Sequence, residues 1–199
     1  NALPFESLFS EQYMGQNKVL AIMEQTDVAN KYDAANLLSA GYVSLNLPLG
    51  AFNIYGGVRG EYNRLTLDGY RDVNTPVAID VPTFNLFPSA NISYNLTPKS
   101  LLRFAYASTI NRPEFREVAP LSYYDFTEKY SVKGNPALKD AMIQNLDLRF
   151  EHYPTPNETF SIAAFYKHFA NPIEMVSVGA GSDFSFENAV GATNYGLEL

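Results

Sequence analysis

Apolar and polar residues alternate along most of this chain with a period of two, most clearly from Met142 to Phe169. Leu146, Leu148 and Phe150 alternate with Asn145, Asp147, Arg149 and Glu151. Further on, Phe160, Ile162, Ala164 and Tyr166 alternate with Ser161, Ala163, Phe165 and Lys167. Such a period sends one apolar and one polar row to opposite sides of a strand. The intervening Pro154-Thr155-Pro156-Asn157-Glu158 cannot continue a ladder, because proline lacks a donor and fixes φ. The two halves read as a hairpin.

The pattern recurs. Leu37, Val43, Leu45 and Leu47 are apolar, while Tyr42, Ser44 and Asn46 face the other way. Pro48-Leu49-Gly50-Ala51 reads as a turn into a strand with Phe52, Ile54 and Val58 on one side. Asn53, Tyr55, Arg59, Glu61 and Asn63 fill the other side. Opposing Leu47 with Phe52 sets Leu45 against Ile54, Val43 against Gly56 and Tyr42 over Gly57. A third strand carries Phe84, Leu86, Ala90, Ile92, Tyr94 and Leu96, and a turn at Thr97-Pro98-Lys99-Ser100 leads to Leu102, Phe104, Tyr106 and Ile110. Pairing Leu96 with Leu102 there sets Tyr94 against Phe104 and Ile92 against Tyr106. A last strand alternates Tyr195, Leu197 and Leu199 with Asn194, Gly196 and Glu198. Residues 1–36 are irregular apart from a short apolar run, Val19 to Met23, while 68–83, 111–140 and 171–187 read as polar connections.

The connections differ in kind. Those at Gly50, Pro98 and Pro156 are short, about four to six residues, and those between them are long, roughly 15 to 30 residues. Short turns at one rim and long loops at the other are the plan of a bacterial outer-membrane barrel, with periplasmic turns and extracellular loops. Strands of about 9 to 11 residues suffice to cross a bilayer. The expected fold is all-β: an antiparallel up-and-down transmembrane β-barrel segment of about seven to eight strands from a larger barrel. Arg59, Glu61, Arg103, Asp147, Arg149, Glu151, Lys167 and Glu198 all fall on the polar rows. At membrane depth a basic side chain facing lipid costs about 2–4 kcal/mol, so these residues are expected to face a watery lumen. The alternative is a soluble β-sandwich carbohydrate-binding module, in which the apolar rows would face each other and the charges would face solvent.

Composition narrows this further. Tyrosine and phenylalanine number 14 each, without tryptophan, which favours strands and the aromatic girdles of membrane barrels. No run of 18 apolar residues exists, so no transmembrane helix is expected. The start, Asn1-Ala2-Leu3-Pro4, shows neither an initiator methionine nor a secretory signal, and excision from a longer chain is the expectation. The absence of cysteine excludes disulfides and thiolate metal sites, and a formal charge of −7 excludes a general nucleic-acid binder.

Several words in this order resemble TonB-dependent outer-membrane receptors. They are Pro88-Ser89-Ala90-Asn91-Ile92-Ser93-Tyr94-Asn95-Leu96, Leu102-Arg103-Phe104-Ala105-Tyr106-Ala107 and Arg112-Pro113-Glu114-Phe115-Arg116. Gly134-Asn135-Pro136-Ala137-Leu138, Asn145 to Glu151, Phe165-Tyr166-Lys167 and Asn171-Pro172-Ile173-Glu174 follow in order. Gly41-Tyr42 and Gly57-Val58-Arg59-Gly60-Glu61 fit as well. The resemblance implies a plugged barrel of about 22 strands that takes up a scarce nutrient (an iron chelate, cobalamin or a glycan). It implies outer-membrane lipid, a small nutrient ligand, a plug domain and the TonB complex as partners, the last two through parts of the protein outside this chain. Residues 1–199 would then be part of one barrel domain, with 1–36 mostly extracellular loop and without plug or closing strand.

No enzymatic chemistry and no cofactor are expected. His152 and His168 fall at strand ends without a ligand cluster, and no nucleophile-elbow motif occurs. Gly179-Ala180-Gly181-Ser182-Asp183 lacks the lysine and helix of a phosphate loop and reads as a loop tip. Asp147, Glu151 and Glu198 read as a hydrated wall rather than an acid–base set, for want of a pocket that would separate their pKa values. The long-loop rim offers Arg112, Arg116, Tyr123, Tyr124, Tyr130 and Lys133 as candidate ligand contacts. Flat aromatic faces beside cations suit sugars or anionic chelates.

Overall fold

The computed structural model describes residues 10, 12–15, 20–21, 28–179 and 183–199. Of the apolar run Val19 to Met23, only Leu20 and Ala21 are among them, with Leu20 in an isolated bridge to Met14; Ala180 to Ser182 also lie outside the described residues. The first long strand, β1 (Tyr32–Leu49), begins before the expected Leu37. It is followed by β2 (Phe52–Asp72), β3 (Thr75–Thr97) and β4 (Ser100–Asn111). After a covering segment come β7 (Ala141–His152), β8 (Phe160–Ala170) and β11 (Gly191–Glu198). These seven form one antiparallel sheet in the order β1-β2-β3-β4-β7-β8-β11.

The faces of the sheet follow the alternation. Leu47, Ile54, Ile92, Phe104, Leu148, Ala164 and Leu197 are register partners in a single row across all seven strands. The neighbouring row runs Pro48, Asn53, Ser93, Arg103, Arg149, Ala163 and Glu198 on the opposite face. Two hairpin registers differ from the sequence expectation by two residues. Leu49 rather than Leu47 opposes Phe52, because the turn is only Gly50-Ala51, with Gly50 at φ +63°. Val43 then meets Val58, and Tyr42 meets Arg59 instead of Gly57. Likewise Tyr94 meets Leu102 and Ala90 meets Tyr106, after an irregularity between Asn95 and Thr97. A shift of two keeps every side chain on its face, so the pattern survives while the partners change. Aromatic rings cover other glycines instead: the Phe165 ring lies 2.8 Å from where a Cβ on Gly196 would stand, and the Phe84 ring 3.4 Å from one on Gly60.

The apolar rows do not face each other. Val43, Leu45, Phe84 and Leu86 are 57–67% exposed on the open face of the large sheet. A sandwich would have buried them.

The polar connections contain more strand than expected. Residues 68–83 are the tip of the β2–β3 hairpin, turning at Val73-Asn74, where the Asp72 carboxylate accepts the Asn74 N–H at 3.0 Å. Proline is tolerated here because β3 pairs with β4 only from Ser89 onward, leaving one edge free beside Pro76, Pro82 and Pro88. Residues 111–140 and 171–190 build a short helix, α1 (Phe115–Val118), and β5 (Ser122–Asp125), β6 (Tyr130–Lys133), β9 (Ile173–Ser177) and β10 (Asp183–Asn188). These strands form a second sheet, ordered β5-β6-β10-β9, with a parallel β6–β10 pair joining the two segments. They lack a visible period because each is only 4–6 residues long.

The dry core sits where this cover meets the large sheet. Leu65 and Leu67 continue the phase of Arg59 and Glu61 along β2 and pack against Val118 and Ala119, with Ile79, Phe115, Leu121 and Leu138 around them. Leu67 is 1% exposed, a burial that contributes roughly 1.5–3 kcal/mol. Gly134 closes the contact: a Cβ there would lie 2.0 Å from the Ala119 carbonyl oxygen. Gly134→Ala should therefore displace the covering segment while leaving the large sheet intact. Limited proteolysis of the folded protein should show faster cleavage within 115–135 and unchanged protection of β7–β8.

Candidate functional site

The register puts all eight charged residues expected on one side on the same face of the large sheet. Arg59 and Glu61 stand on β2, Arg103 on β4, Asp147, Arg149 and Glu151 on β7, Lys167 on β8 and Glu198 on β11. Two carboxylates among them, Glu61 and Glu151, gather the arginines. Glu61, 8% exposed, accepts from Arg59 Nε at 2.6 Å and from Arg112 Nη2 at 2.8 Å. Glu151, 7% exposed, has Arg103 Nε at 3.4 Å and Arg149 Nε at 3.9 Å, and accepts from the Tyr153 hydroxyl at 2.7 Å. Between Arg103, Arg149, Asp147 and Glu198 lies an open trough of about 240 Å³ floored by Ala105, Ala163 and Asn91.

The six candidate contacts at the rim are not brought into one cluster. Arg112 turns down to Glu61 and away from the surface. Arg116, on α1, sits with its guanidinium carbon 4.9 Å from the centroid of the Tyr123 ring. Tyr130 packs on Phe184 at 4.7 Å, and the face of the small sheet that carries Tyr123, Tyr130 and Phe184 is the covered one, since Val132 and Phe186 share it. Burial pushes the Tyr123 hydroxyl above its usual pKa, with Arg116 opposing. Tyr124 and Lys133 point the other way, on the exposed face with Ser122 and Ser131. Tyr124 is 48% exposed and meets Phe126 edge-on at 5.1 Å. The sequence pattern treated the rim as one surface because a tyrosine-rich loop shows no faces until its strands pair.

Two asparagines that sequence reasoning passed over hold the cover together. Asn188 accepts from the Lys139 N–H at 2.8 Å and donates to the Lys139 carbonyl at 2.9 Å and the Asn171 carbonyl at 2.8 Å. Asn135 accepts from the Ala137 N–H at 2.9 Å and donates to the Phe186 carbonyl at 2.9 Å. For Asn135 the Asn135-Pro136 dipeptide was the available signal, since it marks a turn whose side chain bonds to backbone, whereas Asn188, followed by Ala189, carried none.

The model for the outer membrane protein beta-barrel family matches residues 10–199. The chain belongs to that family. It is a barrel sheet of the bacterial outer membrane, and its exposed apolar face is the one such barrels turn to lipid. Among solved structures, the hemophore receptor HasR of Serratia marcescens, in complex with its hemophore HasA and heme, superposes at TM-score 0.66, with 13% identity over 81% of this chain and 31% of that one. The siderophore receptor PirA of Pseudomonas aeruginosa gives 0.56, at 18% identity over 83% and 39%. The FrpB iron transporter of Neisseria meningitidis gives 0.57, at 12% identity over 84% and 23%. The chain thus spans only 23–39% of these proteins' length, and at such identities the likeness is one of fold. No curated protein matches it.

Two measurements follow for the complete outer-membrane barrel. Leu148→Arg, on the lipid side, should cost about 2–4 kcal/mol in refolding into lipid vesicles, whereas Asp147→Asn, one residue away on the other face, should cost far less. Asp140, half-buried beside Arg112, has its carboxyl raised above the usual range, first by burial, with Arg112 opposing. Its stabilising contribution is complete below the ordinary aspartate pKa and declines as pH rises through its own. Asp140→Asn should flatten that part of the stability–pH curve, read as the midpoint of thermal loss of the covering segment's protection.

Proposed function

We propose that this chain is part of the barrel of an outer-membrane receptor that takes up an iron chelate, a siderophore or haem, by TonB-dependent energised transport. The single observation that carries the reading is the division of one sheet into an apolar face and a charged face, with a folded cover at one end. An open pore needs no such cover, and a purely structural barrel needs no charged wall organised around two nearly buried carboxylates. The nature of the solved relatives supports the substrate class, since their names describe siderophore and hemophore receptors and an iron transporter. On this reading Arg59, Glu61, Arg103, Asp147, Arg149, Glu151, Lys167 and Glu198 line the lumen, against a plug domain carried elsewhere in the protein. Outer-membrane lipid surrounds the barrel, and the TonB complex acts through that plug.

Of the rim residues, Tyr124 and Lys133 are the ones proposed to meet ligand, as an aromatic face and a cation on the same exposed surface. Arg116, Tyr123 and Tyr130 support that surface from beneath, and Arg112 ties it to the wall. The test is iron-limited growth and uptake of labelled chelate by cells with and without the full-length receptor, each with and without the coupling complex. Uptake should require both. Uptake that persists without the coupling complex, or that is specific for cobalamin or a glycan, overturns the proposal. Tyr124→Ala should weaken binding of the recognised chelate about tenfold by calorimetry, with unchanged refolding.

A further inference from the structure

Three buried side-chain polar atoms among the described residues have no hydrogen-bond partner: Asn63 Oδ1, Thr83 Oγ1 and Arg112 Nε. All three residues line one small cavity of about 40 Å³, together with Asp140 and walls of Leu65, Ile79, Val81, Val118 and Leu138. Asn63 and Thr83 are register partners on β2 and β3, and Arg112 reaches in from the covering segment while its Nη2 holds Glu61. Asn63 is 4% exposed. Leaving three such atoms unpaired in one place forfeits the hydration each lost on burial, and native proteins seldom accept that.

The chemistry of the cavity selects its occupant. It offers an amide oxygen and a hydroxyl oxygen as acceptors and a guanidinium N–H as donor, so the guest must both donate and accept. A cation would meet Arg112, and an anion would meet Asp140 and lie close to Glu61. The Arg112–Glu61 pair cancels its own charge. What remains is a small neutral molecule with hydrogen-bonding capacity on every side, in a space with room for about two or three waters. We propose that this cavity is a built water site: ordered waters accept from Arg112 Nε, donate to Asn63 Oδ1 and complete the bonds of Thr83 Oγ1. Through them the covering segment is fastened to the β2–β3 wall by exchangeable bridges as well as by the apolar contact of Leu65 and Leu67. Asp140 lines the same space and joins the network as a fourth polar group.

The sign of one substitution decides the matter. In the full-length receptor, Thr83→Val removes the hydroxyl and keeps the shape, while Thr83→Ser keeps the hydroxyl. If waters occupy the cavity, Val severs a bridge and lowers Tm by about 2 °C, with Ser above Val. If the cavity is dry, Val removes an unpaired polar atom and raises Tm above wild type, with Ser below Val; that order overturns the proposal. A high-resolution crystal structure of the full-length protein supplies the second readout. Separate water peaks within hydrogen-bonding distance of Asn63 Oδ1 and Arg112 Nε support the site. An empty cavity, or a side chain from elsewhere in the protein filling it, ends the idea.

Discussion

A chain that crosses hydrocarbon has no water to satisfy its peptide groups, so every N–H and C=O must find a partner in the ladder. Once the ladder exists, its register decides what each face shows. Here one row, from Leu47 through Phe104 and Leu148 to Leu197, passes across all seven strands without a polar interruption. A slip of one residue at β4 or β7 would turn Arg103 or Arg149 to the apolar, lipid side. The cost per basic residue, about 2–4 kcal/mol at the midplane, is comparable with a sizeable fraction of a domain's net stability. Register is therefore strongly held across the membrane.

Above that zone the same constraint loosens, and β2 shows how. On the face opposite the apolar rows it runs Arg59, Glu61, Asn63, Leu65 and Leu67, passing from charged to apolar within a few residues of one strand. The change marks where the wall gains a cover. Below it, charges are exposed on the charged face or paired with one another; above it, Val118 and Ala119 provide a dry partner. Arg112 stands at the transition, with Glu61 on one side and the core on the other.

The cover is a fold in its own right. Two segments far apart in sequence are joined by the parallel β6–β10 pair and by the amides of Asn135 and Asn188. Because the bonds run between the segments, neither is expected to hold its shape without the other. The exposed surface with Tyr124 and Lys133 thus depends on the second segment although both residues lie in the first.

The period-two pattern alone determined the membrane-zone strands and the side of each residue, because a strand's alternation is local and any even shift in register preserves it. That is why the charged row was legible even where the expected hairpin partners were two residues off. Tertiary structure decided what lacks a local signal. It turned 68–83 into a hairpin tip, because two long strands pairing with each other outweigh the turn tendency of Asp68-Gly69, Pro76 and Pro82. It made a sheet of strands too short to display a period, and so sorted the rim aromatics into a covered and an open set. It also brought Asn63, Thr83 and Arg112 around one cavity, a meeting set by long-range packing of a segment whose own residues carry no repeat.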